Sequence, residues 1–255
     1  MKRATSPRTP RSESSLRPKA QIKASPAATM RVGGDAGRSA GNPHSGLSDQ
    51  ARARLEKMIV SLELAPGSIW SEAELSARLG IGRTPVREAL QRLEGDHLVR
   101  ILPRHGAQIT EINVVEQLLL LELRRALDRL IAADAARRCT AQECSQLLTM
   151  AERLEAFESE DVLAYLRQHY ELKNFLADCA RNPFVARAVM PCYAMSRRFY
   201  YLYYRQVPDI ATATKHHAEV IRAVVVGDEK AAAAASDRLM DYVEKLTRAT
   251  VSSRF

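Results

Sequence analysis

The chain has 255 residues, of which 46% are hydrophobic, enough to bury a core in one large domain or two ordinary ones. Charged residues make up 27% and the formal net charge is +8, which is compatible with a polyanionic partner. No run of about 18 uncharged apolar residues is present, so we predict a soluble chain without a membrane partner. The four cysteines have no paired short spacing, which argues against a disulfide scaffold and a thiolate zinc cluster and favours the cytoplasm.

Residues 1–47 carry most of the excess charge, because nine Lys or Arg stand against two acidic residues, a net +7 of the +8. This stretch is rich in Ser, Pro, Gly and Ala and has no periodic apolar pattern, so we predict a disordered basic tail. Such a tail either adds non-specific attraction to phosphates or is only a solvated leader.

Residues 48–110 have the pattern of three helices followed by a hairpin. Apolar residues at helical spacing predict the first helix at about 48–62. Ser71 and Glu74 are the two ends of a capping box for a second helix, which is expected to end at Gly80.

A third helix follows, for which Thr84 is a suitable N-cap and Pro85 suits the first helical position. Two short apolar segments, 98–102 and 107–110, then predict a β-hairpin around 103–106. Three helices and a hairpin make a winged helix-turn-helix, in which the third helix enters the major groove of DNA.

The candidate DNA-binding residues lie on the third helix and at the hairpin tip. Arg83 and Arg87 can each bind O6 and N7 of guanine, which is worth about 1 to 3 kcal/mol of base discrimination. The alternative is a set of exposed charges on a small helical domain that binds another protein. The candidates are Arg83, Thr84, Pro85, Arg87, Gln91, Arg104, His105 and Gly106.

Residues 111–255 show apolar positions at helical spacing throughout, with no alternating β pattern. The predicted fold class is therefore mainly α, a winged helix-turn-helix followed by an all-α bundle of six or seven helices. The six segments expected to be helical are 114–138, 141–157, 161–180, 183–204, 212–226 and 228–250.

Several short motifs stand in order along residues 62–109. They are P-G at 66–67, S-E-A-E-L at 71–75, L-G-I-G-R-T-P-V-R-E-A-L at 79–90 and R-H-G-A at 104–107. In this order and spacing they resemble the DNA-binding domain of GntR-family transcriptional regulators. The resemblance implies that Arg83, Thr84 and Arg87 contact operator DNA and that the hairpin tip enters the minor groove.

Two positions depart from the family's pattern. Ala73 stands where the family usually has a DNA-contacting arginine, and Gly82 replaces a common serine. The resemblance therefore implies an operator sequence or affinity that differs from that of close relatives.

The second half resembles the FCD domain of the family's FadR branch, and its helix count favours the VanR-like variant. The segments that carry this resemblance are L-E-L-R-R-A-L-D at 121–128, N-P at 182–183 and H-A-E-V-I-R-A-V-V-V-G-D at 217–228. A HutC-type partner domain would need strands, and the sequence predicts none here.

Many FCD domains hold a divalent metal with one aspartate and three histidines. By the resemblance, His169 stands here at the aspartate position, Lys173 and Leu239 replace two of the histidines, and only His217 remains. A protonated lysine and a leucine cannot coordinate a cation, so the prediction is no cofactor and no metal.

The sharper hypothesis is that positively charged side chains take the place of the metal at this position. His169 and Lys173 are four residues apart and share a helix face, and Arg124 and His217 would complete a positive pocket for an organic anion. The alternative has Lys173 reaching solvent, His169 hydrogen-bonded in the core, and the aromatic residues of 191–206 serving as core or dimer surface. The candidate effector-binding residues are Arg124, His169, Lys173, His217, Tyr200 and Tyr204.

These observations predict a cytoplasmic, nucleoid-associated homodimer that represses transcription, binds an inverted-repeat operator in double-stranded DNA and responds to a small anionic effector. The alternative is a constitutive DNA-binding or architectural protein whose bundle only dimerises. The sequence has no nucleophile with a base at recognisable spacing, no phosphate loop and no metal-protease signature, so we predict that the protein is not an enzyme.

Overall fold

The structure is a computed structural model and describes residues 43–157, 161–203 and 210–252. The predicted basic tail lies almost entirely outside these residues. Nine helices and three short strands make up the described part of the chain. In order they are α1 (Pro43–Val60), β1 (Ile69–Trp70), α2 (Glu72–Leu79), α3 (Arg83–Gly95), β2 (Val99–Leu102), β3 (Gly106–Ile109), α4 (Val114–Arg138), α5 (Ala141–Glu155), α6 (Val162–Cys179), α7 (Pro183–Tyr203), α8 (Ile210–Val226) and α9 (Glu229–Ser252).

The described residues up to 110, which we call the winged unit, form the predicted three helices and hairpin. Both hydrogen bonds of the capping box between Ser71 and Glu74 are present, and α2 ends at Gly80 with a left-handed φ of 64°. The antiparallel sheet has the order β1-β3-β2, so β1 adds a strand that the sequence does not predict. A two-residue strand is too short for its apolar period to be recognised.

The start of α3 differs from the prediction. Thr84 is not the N-cap, because the helix begins at Arg83 and Gly82 is its cap. Pro85 still fits, since the N–H groups of the first turn have no acceptor within the helix, and the first helical hydrogen bond runs from Val86 N to Gly82 O at 3.3 Å. Gly82 offers no side-chain cap, so α3 lacks the hydrogen bond that a serine would supply.

Helices α4 to α9 form the predicted all-α unit, which we call the bundle. Their bounds agree with the predicted segments to within a few residues. In addition, α5 begins at a second capping box, formed by Thr140 and Glu143. No described helix is long and apolar enough to cross a membrane. The bundle core includes Ile131, Ala135, Leu147, Leu172, Leu176, Val189, Ile221 and Leu239.

Helix α7 packs in both parts of the described chain. Tyr193 belongs to the bundle core, whereas Ala194 packs into the core of the winged unit. The buried guanidinium of Arg198 donates hydrogen bonds to the backbone oxygens of Thr110 at 3.0 Å and Glu111 at 3.1 Å. Helix α7 therefore contacts both the bundle core and the winged unit.

Candidate functional site

The exposed face of α3 lies opposite its apolar stripe, as the sequence predicts. Val86 and Leu90 are buried in the winged unit, whereas Arg83, Thr84 and Gln91 are exposed. Because α3 begins at Arg83, two of these side chains stand in its first turn, where backbone N–H groups lack intrahelical acceptors. An anion at this end is stabilised by those groups and by the helix dipole.

Pro85 is placed differently from the prediction, whereas Arg87 lies on the predicted face but has an ion-pair partner. Pro85 is buried, which removes it from the candidate DNA-contacting set, because the third position of α3 faces the core. Arg87 is exposed, but its guanidinium donates two hydrogen bonds to the carboxylate of Glu72 at 2.8 and 2.7 Å. These bonds lower the pKa of Glu72. Arg87 must leave this partner before it can bind guanine.

The hairpin tip carries the predicted exposed Arg104 and His105. Gly106 has a φ of 99°, and a Cβ at this position would lie 2.2 Å from the backbone oxygen of Trp70. Only glycine fits here, because the backbones of β1 and β3 lie too close together for a side chain. Trp70 is the chain's single tryptophan, and its indole N–H donates to Ser68 Oγ at 2.9 Å. Gly106 therefore shapes the wing, while its contact with DNA stays a prediction.

The bundle encloses a cavity of about 80 Å³, which we call the bundle cavity, between α4, α6, α7, α8 and α9. Of the six predicted effector-binding residues, Tyr204 lies outside the described residues. The other five line the cavity, namely Arg124, His169, Lys173, Tyr200 and His217. Apolar side chains supply much of the remaining surface, among them Val162, Leu166, Ile210, Val243 and Leu246.

Beside this cavity lies Asp128, a buried carboxylate that the sequence analysis did not single out as a site residue. Its carboxylate is fully buried and accepts hydrogen bonds from Lys173 Nζ at 2.9 Å, from Arg124 Nη2 at 3.0 Å and from the Tyr193 hydroxyl. Lys173 is buried and paired, so the alternative in which it reaches solvent is wrong. A signal was present, because Asp128 follows Arg124 by four residues and so shares its face of α4.

This buried group carries one positive charge in excess. Burial alone would raise the pKa of Asp128, but the charges of Lys173 and Arg124, with hydrogen bonds from Tyr193 and Lys173, lower it to about 2. Burial lowers the pKa of Lys173, and the Asp128 charge opposes that shift. Two cations and one anion leave a net charge of +1 beside the cavity.

The two cavity histidines face each other with their ring centroids 4.4 Å apart. Burial, reinforced by the charges of Lys173 and Arg124, lowers the pKa of His169 to about 3. Burial and the neighbouring His169 also depress the pKa of His217. Both rings are thus neutral near pH 7. With Lys173 bound to Asp128 and Leu239 in the apolar core, the residues at the family's metal positions do not fit a cation.

Two arginines that line the cavity each have an unused hydrogen-bond donor. Arg124 is held by Asp128 at 3.0 Å, and Arg197 donates to Glu56 of α1 at 2.5 Å. The Arg197 guanidinium also lies over the ring of Tyr170, 3.6 Å from its centre. The Nε of each arginine is buried and has no hydrogen-bond partner among the described residues. A carboxylate is the natural acceptor for such donors.

Three of the four cysteines lie close together outside the cavity lining, a proximity that their spacing in the sequence does not indicate. Cys139 Sγ, Cys179 Sγ and a carboxylate oxygen of Glu143 lie within 4.8 Å of one another. Burial and hydrogen bonds with Cys144 and Cys179 raise the pKa of Cys139, and burial raises the pKa of Cys179 to about 11. Tertiary packing, which linear spacing does not record, brings Cys179 to the other two.

Comparison with known families agrees with this architecture. Residues 47–109 match the model of the bacterial regulatory proteins of the gntR family, and residues 119–242 match the FCD domain. The chain belongs to the GntR family. Its combination of the two matched regions fits the FadR-like branch of the GntR family, as the sequence motifs predict.

Curated relatives of this GntR-family chain are named as transcriptional regulators rather than enzymes. The HTH-type transcriptional repressor RspR of Escherichia coli K12 is 29% identical over 142 residues, which span 54% of this chain and 62% of RspR. The Nta operon transcriptional regulator of Aminobacter aminovorans is 36% identical over 109 residues, 42% of this chain and 50% of that protein. The matched region thus spans less than two thirds of each relative.

Solved structures of the GntR family share the fold at low sequence identity. Escherichia coli McbR/YncC aligns with a TM-score of 0.71 at 18% identity, over 79% of this chain and 97% of that one. A GntR transcriptional regulator from Rhodococcus sp. RHA1 aligns with a TM-score of 0.62, also at 18% identity and over the same shares of the two chains. The predicted fold class is confirmed.

Proposed function

We propose that this protein is a homodimeric transcriptional repressor whose binding to an inverted-repeat DNA operator is controlled by a small organic anion in the bundle cavity. Residues 48–110 serve as the DNA-binding domain, and residues 111–255 bind the effector and dimerise. Membership of the GntR family supports DNA binding, and the name of RspR supports repression. The proposal rests on the observation that helix α7 lines the cavity and also packs in the winged unit.

The exposed end of α3 is suited to a DNA groove. Arg83 and Thr84 lie at a helix start that stabilises phosphate, and the guanidinium groups of Arg83 and Arg87 have the geometry to bind guanine. Arg104 and His105 at the hairpin tip extend toward the neighbouring minor groove. Phosphate contacts then fix the register, while the two arginines read bases.

An exposed apolar stripe along α4 supports the dimer. Its members are 43% to 65% exposed and recur at intervals of four and seven residues, so they share one helix face; they are Val115, Leu119, Leu123 and Leu130. A second copy that covers this stripe removes it from water. Two winged units can then bind half-sites about one helical turn apart.

The dimer is tested by light scattering after size-exclusion chromatography. Leu119→Lys combined with Leu123→Lys should yield monomers, because burying two ammonium groups in an apolar contact is costly. Val226→Lys is the matched control, since Val226 is 80% exposed on α8 and outside the stripe. A double variant that stays dimeric at the wild-type concentration contradicts the proposed interface.

The bundle cavity favours a small monoanion with an apolar or aromatic body. The net charge of +1 from Arg124, Lys173 and Asp128 attracts one carboxylate. The unused Nε groups of Arg124 and Arg197 add donors, and the apolar lining accepts the rest of the molecule. A Lys173→Leu variant should lose the response to the inducing acid.

Arg197 links an anion in the cavity to the DNA-binding part. Its side chain is 14% exposed and lines the cavity, while its guanidinium pairs with Glu56 of α1 at 2.5 Å. An anion near Arg197 competes with Glu56 for that guanidinium and weakens the contact between α1 and α7. The ligand thereby favours one placement of the winged units over another, a coupling commonly worth about 1 to 3 kcal/mol.

Glu56→Gln tests this coupling. DNA binding to the promoter region beside the protein's own coding sequence is measured by fluorescence anisotropy at fixed salt, with and without candidate acids. An acid that stabilises the wild-type bundle in a thermal-shift assay should change wild-type DNA affinity by about 5- to 150-fold. Glu56→Gln should keep the thermal stabilisation and lose most of the change in DNA affinity.

The matched control is Glu63→Gln, because Glu63 pairs with Arg78 within the winged unit and has no contact with Arg197. This variant should respond to the acid as the wild type does. An equal response in Glu56→Gln refutes the role of the Arg197 pair. DNA affinity that no bundle-stabilising acid alters supports the alternative of constitutive DNA binding.

A further inference from the structure

The start of α5 brings two thiols together, and the end of α6 adds a third. Thr140 is the N-cap of α5, and Glu143 completes its capping box. Cys139 stands just before the cap and Cys144 at the fourth helical position, two positions whose side chains commonly pack against each other. Cys179 is the last residue of α6 and is fully buried. We call these three cysteines and Glu143 the thiol cluster.

We propose that the thiol cluster is a binding site for a thiophilic divalent ion of the zinc class. The Sγ atoms of Cys139 and Cys179 and an oxygen of Glu143 lie within 4.8 Å of one another. Cys144, at the fourth position of the same helix α5, is the candidate for a fourth ligand. Around tetrahedral zinc, with Zn–S bonds of about 2.3 Å, neighbouring sulfur atoms stand about 3.8 Å apart, so Cys139 Sγ and Cys179 Sγ need to approach each other by no more than about 1 Å.

The surroundings of the thiol cluster offset the negative charge of such a ligand set. Arg181 donates to the two oxygens of Glu143 at 2.8 and 3.0 Å. The positive end of the α5 dipole lies at the same place. Metal binding replaces the thiol protons, so up to three protons pass to solvent as three metal–sulfur bonds form. Cys139 and Cys144 are partly exposed, which gives an ion access from solvent.

A bound ion ties the junction of α4 and α5 to the end of α6. Helix α6 also carries His169 and Lys173 of the bundle cavity. The thiol cluster is therefore a second ligand site, separate from the cavity and from the family's metal positions, and its occupancy stabilises the helix on which the cavity depends.

Cadmium titration tests the thiol cluster, because cadmium–thiolate bonds absorb in the ultraviolet. The full-length protein, reduced with a thiol-free phosphine and freed of metal, should bind Cd²⁺ with this charge-transfer band. Cys139→Ser and Cys179→Ser should each lower the affinity by about 100-fold or more, and Glu143→Gln by about tenfold. Cys192→Ser is the matched control, because Cys192 lies on α7 outside the cluster and its loss should leave the band unchanged.

A measurement on the unmutated protein keeps the test independent of how the variants fold. Cd²⁺ should slow alkylation of the partly exposed Cys139 and Cys144, which is followed by peptide mass spectrometry. The absence of a charge-transfer band, a band unaltered in Cys139→Ser, or alkylation rates that do not change with the ion would each overturn the proposal.

Discussion

Replacing Asp128 by asparagine removes the anion from a buried group that contains two cations. The pKa of Asp128 is lowered from 3.8 to about 2, and because each pKa unit corresponds to about 1.4 kcal/mol, neutralising the carboxylate costs about 2 kcal/mol. Asn also replaces an acceptor oxygen by an amide group that faces Lys173 or Arg124. We therefore expect the free energy of unfolding to fall by about 3 kcal/mol, the lower end for a broken buried ion pair.

The assay is urea unfolding followed by circular dichroism at pH 7 and at fixed protein concentration. Asp241→Asn is the matched control, because Asp241 pairs with Arg125 at 2.7 Å but its side chain is 69% exposed. This control should change the free energy of unfolding by less than about 1 kcal/mol. An Asp128→Asn variant that is no less stable than Asp241→Asn would refute the reasoning.

Acid adds a second check on Asp128. Its folded-state pKa lies below the ordinary value of 3.8, so its stabilisation is present above that pH and is lost as the pH falls toward about 2. The stability difference between the wild type and Asp128→Asn should therefore shrink between pH 5 and pH 3. A difference that stays constant over this range contradicts the assigned pKa.

Three further predictions concern contacts within the winged unit and the bundle. Gly106→Ala should lower stability and DNA affinity, because a Cβ would clash with a backbone oxygen at 2.2 Å, whereas Gly95→Ala has open space and should be tolerated in the same assays. Glu72→Gln releases Arg87 and should raise operator affinity in anisotropy titrations, while an unchanged or weaker affinity speaks against the ion pair as a restraint. Burial lowers the pKa of His169 from 6.5 to about 3, so the unfolded chain takes up a proton at this residue before the folded chain does. The free energy of unfolding should therefore fall below pH 6.5 by about 1.4 kcal/mol per pH unit for this group. Urea unfolding at several pH values should show a smaller dependence on pH for His169→Gln than for the wild type.

Much of the fold could be predicted, because local rules and tertiary packing agree along most of the chain. The apolar period alone predicts the six bundle helices, and Ser71 and Glu74 mark the start of α2. The start of α3 could not be predicted, because Thr84 and Pro85 satisfy the helix-start preferences as well as Gly82 does. The strand β1 consists of two residues that become a strand only by pairing with β3.

The candidate sites could likewise be predicted only where they depend on spacing along one helix. The face shared by His169 and Lys173 follows from their spacing on one helix, and so does the pairing of Arg124 with Asp128. The bond between Lys173 and Asp128 joins α6 to α4 and exists only once those helices pack. The proximity of Cys139 to Cys144 could have been inferred from the capping box between them, whereas the arrival of a cysteine from α6 could not.

The placement of Trp70 gives the protein a native optical reporter. As the only indole in the chain, it lies in β1 against the turn of the wing, and the guanidinium of Arg78 is 5.3 Å from its ring centre. No tryptophan lines the bundle cavity or the thiol cluster. Intrinsic emission therefore senses the environment of the wing, so a spectral change on adding a small acid would signal communication between distant parts in unlabelled protein.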